Sequence, residues 1–136
     1  MIAVSAITFD FGNTLVPVDR SWSRGTIVAT ADALTRTGMI RDEAAFIAAW
    51  AEERDRQFRE EVPLFREVDV PQRAIRVLAR LRGMPAPPPE ARWDDEAAAT
   101  YATPDEAEHI VDAYSRAFVA RAVAVDDAFG TLELLA

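Results

Sequence analysis

The 136-residue chain is long enough for one compact domain and short for two, and with half its residues hydrophobic and 28% charged it has ordinary globular usage rather than that of a disordered, collagen-like or membrane protein. Fifteen basic against twenty-three acidic residues leave a net charge of −8, a sign that repels phosphate backbones, so no nucleic-acid partner is expected. With no cysteine and one histidine, His109, the chain excludes disulfides, thiolate catalysis, cysteine-based zinc sites and histidine metal clusters.

Every basic residue is arginine, and the arginines are scattered rather than gathered into a patch. The first seven residues lack a basic leader and meet Asp10 before any apolar stretch reaches export length, so a cytoplasmic location without membrane association is expected.

Residues 2–9 mix β-branched and small residues and run into Asp10-Phe11-Gly12-Asn13, a composition at which chains turn. They predict a buried strand ending in a loop. Past Val16-Pro17-Val18 the period changes: Ile27, Ala31 and Leu34 recur three and four apart and Gly38 supplies a stop, predicting a helix over roughly 22–37. Asp42 can cap a second helix with apolar positions Phe46, Ile47, Trp50 and Phe58, charges such as Glu52, Arg56 and Arg59 between them, and an end near Val62-Pro63.

Asp69 precedes a third helix with Ala74, Ile75, Leu78 and Leu81 on one face and Gly83 as a left-handed terminus. The following Pro85-Ala86-Pro87-Pro88-Pro89 cannot be helix interior. Thr103-Pro104-Asp105-Glu106 joins a cap, a first-turn proline and a capping-box glutamate, opening a fourth helix expected to bury Ile110, Val111, Tyr114 and Phe118. Val123-Ala124-Val125 leads to Asp126-Asp127, and Phe129, Leu132 and Leu135 suggest a last helix. One strand cannot make a sheet. Its N–H and C=O groups need partners, from residues outside the chain or across an exposed edge.

An acid at the C-terminal end of a strand, followed by a glycine-containing turn, stands where open α/β sheets bind ligands. Such a carboxylate can attack phosphorus when a divalent cation screens the phosphate oxygens, and Mg²⁺ is the hard, oxygen-seeking choice. Asp10, Thr14 and Leu15 in Ile7-Thr8-Phe9-Asp10-Phe11-Gly12-Asn13-Thr14-Leu15 resemble the first motif of the haloacid dehalogenase superfamily. That resemblance implies Asp10 as nucleophile, Mg²⁺ held by Asp10 and the Gly12 carbonyl, and a phosphate facing the N–H groups of Phe11, Gly12 and Asn13 beside Thr14. The departure is at Gly12, where most phosphatases of the family carry a second Asp as general acid and base. Asp19 is read as a solvated turn residue in preference to a substitute acid.

The implied fold is α/β: a Rossmann-like core with a helical cap, of which this chain holds one strand and a bundle of about four helices. Residues 1–19 would be the first core strand and nucleophile loop, 20–122 the helical cap, and 123–136 the return to a core that the chain lacks. The implied function is hydrolysis of a small phosphate monoester through an aspartyl-phosphate, with the chain an inactive piece on its own. Trp22, Trp50, Phe46, Phe58, Trp93, Tyr101 and Tyr114 are assigned to the bundle core, His109 to the surface, and Asp94, Asp95 and Glu96 to a solvated face. Asp126-Asp127 is read as a helix cap, not as the family's last acidic motif, because no strand bearing Ser or Thr and no later basic motif precedes it. Two competing functions are a dehalogenase, disfavoured by Gly12 where Tyr is usual, and a non-catalytic helical interaction module.

Overall fold

Four side chains, each accepting an N–H that a helix start would otherwise leave without a partner, set the frame of the molecule. In the computed structural model, which describes residues 8, 10, 12–88 and 98–135, α1 (Arg20–Arg36) is capped by Asp19, whose Oδ1 accepts Trp22 N at 2.6 Å. Asp42 caps α2 (Glu43–Glu60) through Ala45 N at 2.9 Å, and Asp69 caps α3 (Val70–Leu81) through Gln72 N at 2.8 Å. Thr103 opens α4 (Pro104–Arg121) with the full capping box, Glu106 Oε2 taking Thr103 N at 2.9 Å in return. Because Asp19, not the apolar spacing, fixes its start, α1 begins two residues ahead of the expected 22.

Gly38 and Gly83 end α1 and α3 at φ +74 and +67. Beyond each glycine the next N–H reaches back, Met39 to Leu34 O and Met84 to Ala79 O, closing the left-handed stop. Residues 84–88 then run without helix, as their prolines require.

α1 packs on α4 and α2, and α3 on α2 and α4, around Leu34, Phe46, Trp50, Ala74, Val77 and Ile110. α3 departs from the expected one-sided helix, for residues 72–79 are all buried. Ala74, Ile75 and Leu78 join the apolar core, while Arg73 and Arg76 are covered by polar partners on α2. Of the residues expected to be buried on α4, Ile110 is, whereas Val111, Tyr114 and Phe118 are half-buried. Phe58 is 56% exposed. Phe118 and Phe58 border an open groove, and Tyr114 both packs against the core and lines that groove.

α5 (Ala128–Leu135) follows Asp127, which sits at φ 68 and so lacks the extended geometry of the other four caps. Ala128 is buried, but Phe129, Leu132 and Leu134 are exposed. The strand expected over residues 2–9 falls, except for Thr8, outside the described residues, as do Phe11, Trp93 and Asp94, Asp95 and Glu96. Among the described residues the β structure is one isolated parallel bridge between Gly12 and Val16, and no helix is long and apolar enough to cross a membrane.

Candidate functional site

Asp10 presents an exposed side chain at the start of a tight turn. Asn13 takes a left-handed φ of 61, a conformation that Asn tolerates, and its Oδ1 accepts Val18 N at 2.8 Å across the turn. Its own N–H donates to Val16 O at 2.7 Å. The Asn13 N–H that the resemblance directs at a phosphate is therefore turned inward, closing the loop. Thr14 is exposed beside it.

Gly12 has neither a positive φ nor a crowded Cβ position: an added Cβ would meet Val18 Cγ2 at 3.8 Å, an ordinary contact. Sterics alone do not demand glycine there. For Mg²⁺, Asp10 and the Gly12 carbonyl would offer two oxygens, one of them a carboxylate, and the rest of the octahedral shell would have to come from water, the substrate phosphate or acids outside this loop. No group of three or more acidic or histidine side chains able to hold a metal occurs among the described residues, so these residues alone do not fit a Mg²⁺ centre.

The two ends of the helical unit meet at this loop. Val125 N donates to Leu15 O at 2.9 Å, and Trp22 Nε1 donates to Arg121 O at 3.0 Å. Phe118 meets the Trp22 ring edge-on, 4.4 Å between centroids. From there aromatic rings run inward through Tyr114 and Trp50 to Phe46, with centroid spacings of 6.2, 5.1 and 5.6 Å.

All of these rings except Phe46 form one wall of a groove of about 510 Å³ that also takes in Phe58 and Val18. Val18 is the residue facing Gly12, so the groove opens directly beside the loop. Sequence spacing assigned the aromatics to the core. Phe46 and Trp50 are buried there, and Trp50 also reaches the groove, but Trp22, Phe58 and Tyr114 line it without being buried. A helical period cannot separate a core from a groove when both adjoin one stripe.

A polar network between α2 and α3 was invisible to the spacing argument. Glu53 Oε2 accepts from Arg56 Nε and from Arg76 Nε, each at 2.7 Å. Arg56 Nη1 also forms an ion pair with Glu61 Oε1 at 2.7 Å. Burial by itself would raise the Glu53 carboxyl, but the hydrogen bonds and charges of Arg56 and Arg76 outweigh it and hold the group below its usual range.

Arg73, 3% exposed, stacks 5.2 Å from the Trp50 ring centre and donates from Nε and Nη2 to Gln57 Oε1 at 2.9 and 2.7 Å. Burial draws its guanidinium below the usual value. The signal for this network was available as two complementary stripes at helical spacing, Glu53, Arg56 and Gln57 against Arg73, Arg76 and Arg80.

Asp19 is committed to its cap, and His109 is exposed, 3.3 Å from Thr37 Oγ1. No protein-family model, curated protein or solved structure matches the chain.

Proposed function

We propose that the chain carries the nucleophile loop and helical cap of a phosphohydrolase that acts on a small phosphate monoester, on the haloacid dehalogenase pattern, with Asp10 as the attacking carboxylate. The observation that carries this is the meeting of both ends of the helical unit at the loop, through Leu15 with Val125 and Trp22 with Arg121. A unit whose ends lie side by side can be inserted into a loop without displacing the elements on either side. On this reading a unit rooted in the same loop as Asp10 would cover the reacting group and exclude water.

In the proposed reaction an Asp10 oxygen bonds to phosphorus as the bond to the leaving alcohol breaks, and the departing oxygen takes a proton from water. A second water then attacks phosphorus, the aspartyl P–O bond breaks, and inorganic phosphate leaves with the carboxylate restored. Gly12 has no side chain to serve as acid, so esters of acidic alcohols are the favoured substrates. A phosphate-binding Ser or Thr, a basic residue and acidic Mg²⁺ ligands would come from a Rossmann-like α/β core. Lacking their electrostatic support, the 136-residue chain alone is expected to show no substantial turnover.

The test is to read the coding frame beyond Ala136 and assay its product on p-nitrophenyl phosphate with Mg²⁺. A strand ending in Ser/Thr-Asn, then Lys, then an acidic pair is expected, with activity abolished by Asp10→Asn and by chelation. Activity indifferent to Asp10→Asn, or a frame without those motifs, overturns the proposal.

A further inference from the structure

We propose that the groove between α1, α2, α3 and α4 binds a small organic anion with a flat apolar body, and that Arg73 recognises its charge. Three arginines, Arg24, Arg54 and Arg73, line the groove and among the described residues no aspartate or glutamate does, in a chain whose net charge is −8, although Arg54 is itself paired with Asp55 at 2.8 Å. A groove that collects positive charge on an acidic molecule is complementary to an anion.

Arg73 sharpens the point. Arg56 and Arg76 on the same α2–α3 interface each have a carboxylate partner, and so do Arg80 and Arg82. Among the described residues no carboxylate stands within ion-pair distance of Arg73, and its hydrogen bonds go to the neutral amide oxygen of Gln57. Glu53 and Glu61 act on it only at longer range. A buried cation without an anion is costly, and the face of Trp50 offsets only part of that cost. A carboxylate entering the groove would supply the missing charge. Trp22, Trp50, Tyr114 and Phe118 would stack on the flat body behind it, and the volume of about 510 Å³ suits a ligand of this size.

The substrate class that follows, a phosphate ester of a flat organic acid, rests on the phosphohydrolase proposal; the binding does not. The test is ligand-observed ¹⁹F NMR on the 136-residue chain with 4-(trifluoromethyl)phenylacetate and its uncharged amide. The acid is expected to bind at least tenfold more tightly than the amide. Arg73→Met, which keeps the volume and removes the charge, is expected to bring the ratio to about one while leaving amide binding within twofold.

Should that variant fail to fold, Ser23→Glu decides. It adds a like charge on the groove-lining side of α1 and is expected to weaken the acid about tenfold and the amide not at all. Equal binding of acid and amide by the unaltered chain, or a preference that survives Ser23→Glu, overturns the proposal. The measurement needs no turnover: failure of the Asp10 assay leaves the anion site standing, and failure here leaves the phosphohydrolase without this substrate class.

Discussion

Gly12 stands where the resemblance expects a second carboxylate, and its surroundings leave room for one, since a Cβ there meets only Val18 at 3.8 Å. Gly12→Asp is therefore expected to change stability by no more than about 0.5 kcal/mol, as other unobstructed substitutions do. Under the phosphohydrolase proposal it should raise turnover of esters with poor leaving groups by about a hundredfold, the lower end of what a placed general acid contributes. Thermal unfolding and a series of aryl and alkyl phosphates check the two halves.

Glu53 poses the opposite case, a side chain whose removal takes from Arg76 its carboxylate partner and leaves Arg56 with Glu60 and Glu61. Glu53→Gln should cost about 3 kcal/mol by urea unfolding at neutral pH. Its pH signature follows from the sign of the shift. The folded carboxyl is held below its usual 4.5, so the stabilisation is complete above that value and is lost as pH falls through the folded one. Unfolding free energy of the unaltered chain should decline below about pH 4.5, and Glu53→Gln should flatten that decline. Equal slopes would place the acid sensitivity elsewhere, with Glu106 next, held low by its hydrogen bond from Arg82.

Where α1 lies against the end of α4, Gly25 sits inside a helix with the Arg121 side chain over it, and an added Cβ would fall 2.2 Å from Arg121 Nη2. That atom is the far end of a long, exposed side chain that can swing aside. Gly25→Ala should then stabilise by about 0.5–1 kcal/mol through the backbone entropy that glycine loses in a helix. A destabilisation in urea would show that the seat of Arg121 matters more than helix propensity.

The elements themselves were largely written in local sequence. Asp42, Asp69 and the Thr103 box act over three residues, and Gly38 and Gly83 over one, so each could be read without knowing the packing. The fate of a helix face could not. Arg73 and Arg76 look like the solvent side of α3 until α2 brings Gln57 and Glu53 to meet them, and Phe58 looks like core until the groove is seen to run beneath it. The loop divides in the same way. Asp10, Thr14 and Leu15 were recognisable from residue order, whereas the inward turn of Asn13 depends on Val16 and Val18 closing back on it.

At the scale of the whole molecule, what holds the chain together and what it exposes are separable. The buried apolar cluster draws all its members from residues between Ile27 and Ile110. α5 adds Ala128 to the buried set, yet with Val119 and Val123 it carries much of the exposed apolar surface, Phe129 at 72% and Leu134 at 89%. Ending the chain at Asp126 should therefore cost less than about 1 kcal/mol, the value of one small buried side chain. The same truncation should sharply reduce self-association, because apolar surface left in water drives non-specific contact. Thermal unfolding and sedimentation velocity at several concentrations measure both. If α5 packs on a catalytic core, the shortened chain is a well-behaved monomer with its groove and loop intact. If the protein is instead a helical interaction module, the full chain forms a discrete dimer that the truncation abolishes. A truncated chain that still associates would move the adhesive surface to Leu64 and Phe65, the latter fully exposed at the tip beyond α2.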